Sequence, residues 1–276
     1  MSRQSIVVFA TVVLLIAAGL YSSARAQSAM APMASTPRDT TRQGYHYLHL
    51  IRHGWYDYTD NRDDRVGRGL DSLGREQARL VGERFAKLPI PIHSLVSSTF
   101  TRAMNTADLM GEIMHVRALR DSNLSECSAR ANRADYNRNA EPGEVDSCEA
   151  RLARAWATYV RPVVGREDRH DVLVCHGNVI RWFAEHALGM KSGDWPAFEI
   201  GNGSITTIVV RPDGSTRLAT FSDTGHLPPA AQTWTGRGAG WSPPPPMRPA
   251  ASRAGIAAPA PAAAFDTLRT GGAPKQ

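Results

Sequence analysis

Arg52 and His53 stand side by side ahead of Gly54, and the same chain carries Arg102, Glu126 and His176, the last also ahead of a glycine. A planar guanidinium meets phosphate oxygens as a two-pronged fork, and a neutral imidazole nitrogen can attack phosphorus. Two guanidiniums and two imidazoles around one point would make a strongly cationic pocket, suited to a phosphoryl group and to little else. That chemistry requires groups far apart in sequence to meet at one place, so the elements between them decide whether the reading holds.

Residues 45–51, Tyr-His-Tyr-Leu-His-Leu-Ile, form a short apolar run between Gly44 and Gly54 and read as a buried strand of a parallel sheet. Ligands of open α/β sheets sit beyond the carboxyl ends of the strands, which is where Arg52 and His53 fall. A second strand over 94–97 leads into Ser98-Thr99-Phe100-Thr101-Arg102, a third over 116–119 leads to Leu124-Ser125-Glu126, and a fourth over 171–175 ends at His176-Gly177-Asn178. Every candidate group therefore follows a strand. A parallel sheet would put all of them on one edge, with positive helix ends near Arg102 and Asn178.

Helical spacing of Ala78, Val81, Phe85 and Leu88 predicts a helix opened by Ser72 as N-cap and stopped at Pro89. Further helices are expected from Arg102 to about Met114, around Leu152, Trp156 and Val160, and over 179–188. Residues 127–146 lack apolar periodicity and read as an irregular insertion, and the Asp-rich stretch 55–65 reads as a loop that walls the site. Residues 204–210 and 217–221 form a terminal hairpin across Pro212-Asp213-Gly214. The fold class is α/β, with three α/β/α layers around a mostly parallel central sheet.

Of the 276 residues, those at the two ends look non-globular. A positive start, an apolar run over 6–21 and Ser22-Ser23-Ala24-Arg25-Ala26 describe a secretory signal cleaved after Ala26; an uncleaved membrane anchor is the alternative. Residues 27–44 read as a disordered linker, 45–229 as the folded domain, and 230–276, with four prolines at 243–246, as a Pro/Ala-rich disordered tail. The product is expected to be exported, to a periplasm or the outside, or held N-terminally at a membrane. The net charge is +6, with basic residues scattered among acidic ones, which argues against nucleic-acid binding and suits an anionic substrate.

Cys127, Cys148 and Cys175 contain no C-x-x-C pair, so no structural zinc is expected. In an oxidising compartment Cys127 and Cys148 would pair, because Cys175 belongs to a buried strand. That bridge would close a loop worth about 3 kcal/mol in the chain-entropy model. His46 and His49 project to opposite faces of their strand and read as packing rather than as metal ligands.

His53 in Arg-His-Gly, the Ser-Ser…Thr-Arg-Ala segment at 97–103 and His176 in Cys-His-Gly-Asn resemble the histidine phosphatase superfamily, in its phosphoglycerate-mutase-like branch. Within it the nearer match is to the phosphoglycerate-mutase-like serine/threonine protein phosphatases. Leu73-Gly74-Arg75-Glu76-Gln77-Ala78, 176–181, 202–206, Asp223-Thr224-Gly225 and Pro228-Pro229 carry that match. The resemblance implies a phosphoglycerate-mutase-like fold and a metal-free, cofactor-free hydrolysis of phosphate monoesters through a phosphohistidine. His53 would be the nucleophile; Arg52, Arg102 and His176 would hold the phosphoryl oxygens; Glu126 would be the acid and then the base. Only a short segment follows Glu126, where mutases of the family carry a long insertion, so a phosphatase is favoured. Cys127-Ser128-Ala129-Arg130 replaces the Pro-rich stretch of the protein phosphatases. The substrate is thus a phosphoprotein or a small molecule such as a sugar phosphate or an envelope glycolipid phosphate. The reading from another class is a catalytically silent module that binds a phosphorylated ligand.

Overall fold

The computed structural model describes residues 42–57 and 59–234. The predicted signal segment, most of the linker and nearly all of the tail lie outside the described residues. The compact unit that carries the sheet begins at Gln43.

Six strands form one sheet in the order β3-β2-β4-β1-β5-β6. They are β1 (His46–Arg52), β2 (Ser94–Ser97), β3 (Ala118–Arg120), β4 (Arg169–Cys175), β5 (Ile205–Val210) and β6 (Thr216–Asp223). The first four run parallel, β5 is antiparallel to β1, and β6 closes the hairpin, giving the mostly parallel sheet expected. The helices are α1 (Ser72–Ala86), α2 (Thr101–Met114), α3 (Ala134–Asn137), α4 (Glu144–Tyr159) and α5 (Gly177–Ala187).

Alternation along β4 explains the layers. Val172 and Val174 face one way, packing with Ile51, Leu95 and Ile205 against Val81 and Phe85 of α1 and Ala103, Ala107 and Met110 of α2. Leu173 and Cys175 face the other way, packing with Leu48 and Leu50 against Leu152 and Ala155 of α4 and Val179, Ile180 and Phe183 of α5. The two central strands are buried on both faces, which is why they read as continuous apolar runs.

Several boundaries differ from the sequence reading, most by one or two residues, and four of them have a clear physical reason. The N-cap of α1 is Asp71 rather than Ser72: its backbone is extended and its carboxylate accepts from the Gly74 amide at 2.8 Å. The third strand starts at Ala118 because Val116 donates its amide to the Gly111 carbonyl, finishing the end of α2. The predicted insertion is shorter, since α4 begins at Glu144 after a left-handed Gly143, with Glu144 and Asp146 favourably placed in its first turn. The fold also runs past residue 229. Pro229–Ala231 form a 3-10 turn, Thr233 is buried, and the Asn202 amide donates to the Thr233 carbonyl at 2.8 Å.

His46 and His49 are packing residues. His46 bonds Asp171 at 2.9 Å, and His49 bonds Thr207 at 3.1 Å and His170 at 3.2 Å.

Candidate active site

Strand register assembles the site. Arg52 pairs with Cys175 across β1 and β4, so His53 and His176 leave the sheet side by side. Ser97 pairs with Val174, and the amides of His53 and Ser98 donate to the Cys175 and Val174 carbonyls at 3.0 and 2.9 Å. The first residues past three strands are therefore locked into one row. The rings of His53 and His176 lie 5.1 Å apart between centroids, and Arg52, His53, Arg102 and His176 are all buried.

The His53 tautomer is fixed from two sides. Arg102 Nε, which can only donate, points at His53 Nε2 from 3.2 Å, so Nε2 must offer its lone pair. The proton then sits on Nδ1, which donates to the Gly54 carbonyl at 2.8 Å. Burial, followed by the charges of Arg102 and Arg52, holds this imidazole well below its ordinary titration range. The result is a neutral ring with its Nε2 electron pair held among cations.

His176 is also held neutral, by burial first and then by Arg102, His53, Arg52 and Arg151. Its Nε2 lies 2.8 Å from Ser98 Oγ, which already accepts from the Phe100 amide at 3.1 Å. The Ser98 hydroxyl also lies 3.4 Å from Ser125 Oγ, to which it can donate, and the second His176 ring nitrogen is Nδ1. That buried nitrogen has no hydrogen-bond partner among the described residues.

Arg102 is carried by the first turn of α2 and donates to Asp64 Oδ1 at 2.5 Å, with its guanidinium over the Tyr56 and Phe100 rings at 4.8 and 5.1 Å. Arg52 donates to the Ile200 carbonyl at 2.5 Å. The α5 N-terminus has no side-chain cap, and its Asn178 amide donates to Glu126 Oε1 at 3.2 Å. Burial raises the Glu126 carboxyl above its ordinary range, against the lowering charges of Arg102, Arg52 and Arg181. The five predicted residues thus lie together: two neutral imidazoles, two guanidiniums and a carboxyl whose pKa is raised.

Sequence reasoning missed several neighbours. Ser98 orients His176; Asp64 holds Arg102; Arg181 donates to Asn178 Oδ1 at 3.1 Å and lies 3.8 Å from Glu199. Gln77 reaches from α1 to accept from the Trp55 amide at 2.7 Å and to donate to the Ala231 carbonyl and Thr233 Oγ1 at 2.7 and 2.9 Å. It ties the segment after His53 to the end of the described chain. Gly74 permits this approach, since a Cβ there would lie 1.8 Å from the Trp55 carbonyl oxygen. Only the appearance of Gly74 and Gln77 together at the start of a helix could have hinted at such a contact.

Cys127 and Cys148 form a disulfide, with 5.8 Å between their Cα atoms, and Cys175 is a buried free thiol. Burial keeps that thiol protonated.

A three-layer α/β protein with a cationic, imidazole-bearing cluster at the carboxyl edge of its parallel strands is the class that fold and site define. Residues 48–224 match the model of the histidine phosphatase superfamily (branch 1), and the chain belongs to that family. It is 34% identical over 187 residues to the mitochondrial serine/threonine-protein phosphatase PGAM5 of Mus musculus, covering 66% of this chain and 64% of that one. The Caenorhabditis briggsae counterpart is 34% identical over 194 residues, 68% of this chain and 66% of its own. The chain therefore spans about two thirds of the length of these relatives. Among solved structures, Bacillus stearothermophilus YhfR superposes with a TM-score of 0.53 at 19% identity, over 66% of this chain and all of that one. A mycobacterial glucosyl-3-phosphoglycerate phosphatase does so at 0.50 and 23%, over 65% of this chain and 100% of that one. These last two bear on the fold alone.

Proposed function

We propose that this protein is an exported phosphomonoesterase that works through a phosphohistidine at His53. The observation that carries the reading is the His53 Nε2 lone pair, kept free of a proton by the Nδ1–Gly54 bond and facing Arg102. In the first step Nε2 forms a bond to phosphorus while the bond to the leaving oxygen breaks, and the Glu126 carboxyl gives its proton to that oxygen. In the second, the Glu126 carboxylate takes a proton from water as its oxygen displaces Nε2, restoring neutral His53 and releasing phosphate. Arg52, Arg102 and His176 hold the equatorial oxygens, so charge is met by groups already in place.

The relatives named serine/threonine-protein phosphatases support phosphorylated protein side chains as a substrate class. Export rests on the N-terminal pattern at 1–26, and the Cys127–Cys148 bridge supports an oxidising compartment. That location favours the second substrate class, phosphorylated sugars or envelope glycolipids, because phosphoproteins are scarce outside compartments that contain ATP.

Turnover of p-nitrophenyl phosphate in the presence of a chelator tests the reaction, and a panel of phosphopeptides and sugar phosphates ranks the substrates. Activity is expected with chelator present and is expected to vanish in His53→Ala. Tight phosphate binding without turnover would favour the silent module instead.

A further inference from the structure

The Glu126 carboxyl comes from a segment that belongs to no strand. Behind it, Leu124 is fully buried; ahead of it residues 127–133 form neither helix nor strand. Its side chain meets the Asn178 amide, and Ser125 Oγ lies 3.1 Å from Thr99 Oγ1. Ser98 Oγ lies 3.4 Å from Ser125 Oγ, Asn178 Nδ2 donates to Ser128 Oγ at 3.4 Å, and Asn137 and Trp195 donate to the Ala129 and Arg130 carbonyls at 3.0 and 2.9 Å. The contacts on the Glu126 main chain itself and on the residue after it come from α4. Arg151 Nη2 donates to the carbonyls of both Ser125 and Glu126, at 3.1 and 3.2 Å. One turn earlier on the same helix, Cys148 is bonded to Cys127, the residue after Glu126. Glu149 accepts from the Arg130 amide at 2.9 Å, and Asp146 from the Arg130 guanidinium at 2.8 Å.

Resting on the phosphatase reading above, we propose that Arg151 and the Cys127–Cys148 disulfide are positioning elements for the Glu126 acid, so that the redox state of this pair sets how well unactivated esters are hydrolysed. Two adjacent main-chain carbonyls gripped by one guanidinium fix the position of the peptide that bears the side chain. The covalent bridge fixes the next Cα. A carboxyl displaced by about 1 Å loses proton-transfer geometry, while His53 and Arg102, held by β1 and α2, keep theirs. The side chains that attack and bind phosphorus come from other elements, so freeing this segment acts on protonation of the leaving group.

Reduction is a balanced exchange. A thiolate of an added dithiol attacks Cys127 Sγ, the partly exposed member, and Cys148 leaves as a thiolate that takes up a proton. The second sulfur of the reductant then closes its own ring and releases Cys127, so two electrons and two protons pass to the protein.

The test compares an alkyl phosphate, glycerol 2-phosphate, with p-nitrophenyl phosphate, whose leaving group departs with little protonation. The protein is assayed oxidised, reduced by dithiothreitol and reoxidised, alongside Arg151→Gln and Arg151→Lys with the bridge intact, and each is followed by circular dichroism. The alkyl-to-aryl rate ratio is expected to fall at least about tenfold on reduction, to recover on reoxidation, and to fall in Arg151→Gln, against the hundredfold or more that a placed acid contributes. Arg151→Lys, which keeps a donor, should lose less of the ratio than Arg151→Gln. A ratio unchanged by reduction and by both substitutions, or two rates that fall together with the dichroism, overturns the positioning role. Absence of aryl turnover by the oxidised wild type is a different failure, that of the phosphatase reading itself.

Discussion

At the scale of single residues, the site depends on opposed displacements of two proton equilibria. His53 is kept neutral by burial and by its arginines, while Glu126 is inclined to stay protonated by its own burial. Base form and acid form therefore coexist over a wider range than the free side chains allow. For alkyl esters, kcat is expected to fall as pH rises through the raised Glu126 value, because the acid is then spent. Glu126→Gln should remove that alkaline limb and slow alkyl esters by about a hundredfold or more, with a much smaller effect on aryl esters. Equal losses on both, or a limb that survives the substitution, would take Glu126 out of the role. Arg52, His53, Arg102 and His176 were legible because each follows an apolar run and lies beside a glycine or a helix start. Ser98, Asp64 and Arg151 were not, because a serine, an aspartate and an arginine on a polar stretch look like any solvated side chain until the fold brings them to a partner.

At the scale of elements, β1 carries a cost as well as a function. His49 sits in the middle of this strand, 8% exposed, between Thr207 and His170. Burial, with the neighbouring His170 next in effect, pushes its pKa down to about 4 from 6.5. Unfolded, the ring takes up a proton near 6.5; folded, it resists until about 4. In that window the unfolded state binds more protons, so stability falls as pH drops. The penalty approaches about 3 kcal/mol at the lower end. His49→Gln should lose about 2 to 3 kcal/mol less than wild type between about pH 7 and about pH 4.5 in denaturant titrations. Parallel slopes for the two proteins would show that His49 titrates normally. Strand identities were legible from continuous apolar runs, whereas ends were less so. The cap at Asp71 and the late start of β3 are settled by which amide finds which oxygen, and a one-residue choice among Asp71, Ser72 and their neighbours has no periodic signal.

At the scale of the whole molecule, parallel topology delivers the ends of three strands to one row, with α5 and α2 offering their N-termini there. That arrangement was legible because the rule linking strand ends to ligands needs only the order of elements. The far end of the fold was not, since Gln232 and Thr233 look like the start of a polar tail. Gln77 and Asn202 take Thr233 into the interior instead. The central claim is that phosphorus passes through His53 Nε2. Rapid quenching of the oxidised protein with an aryl phosphate, with peptide mapping under alkaline conditions where phosphohistidine survives, tests it most directly. Phosphate is expected on the peptide bearing His53, lost on acid treatment and missing from His53→Ala. Steady turnover with no phosphate on His53, or with phosphate on Ser98 instead, would contradict it.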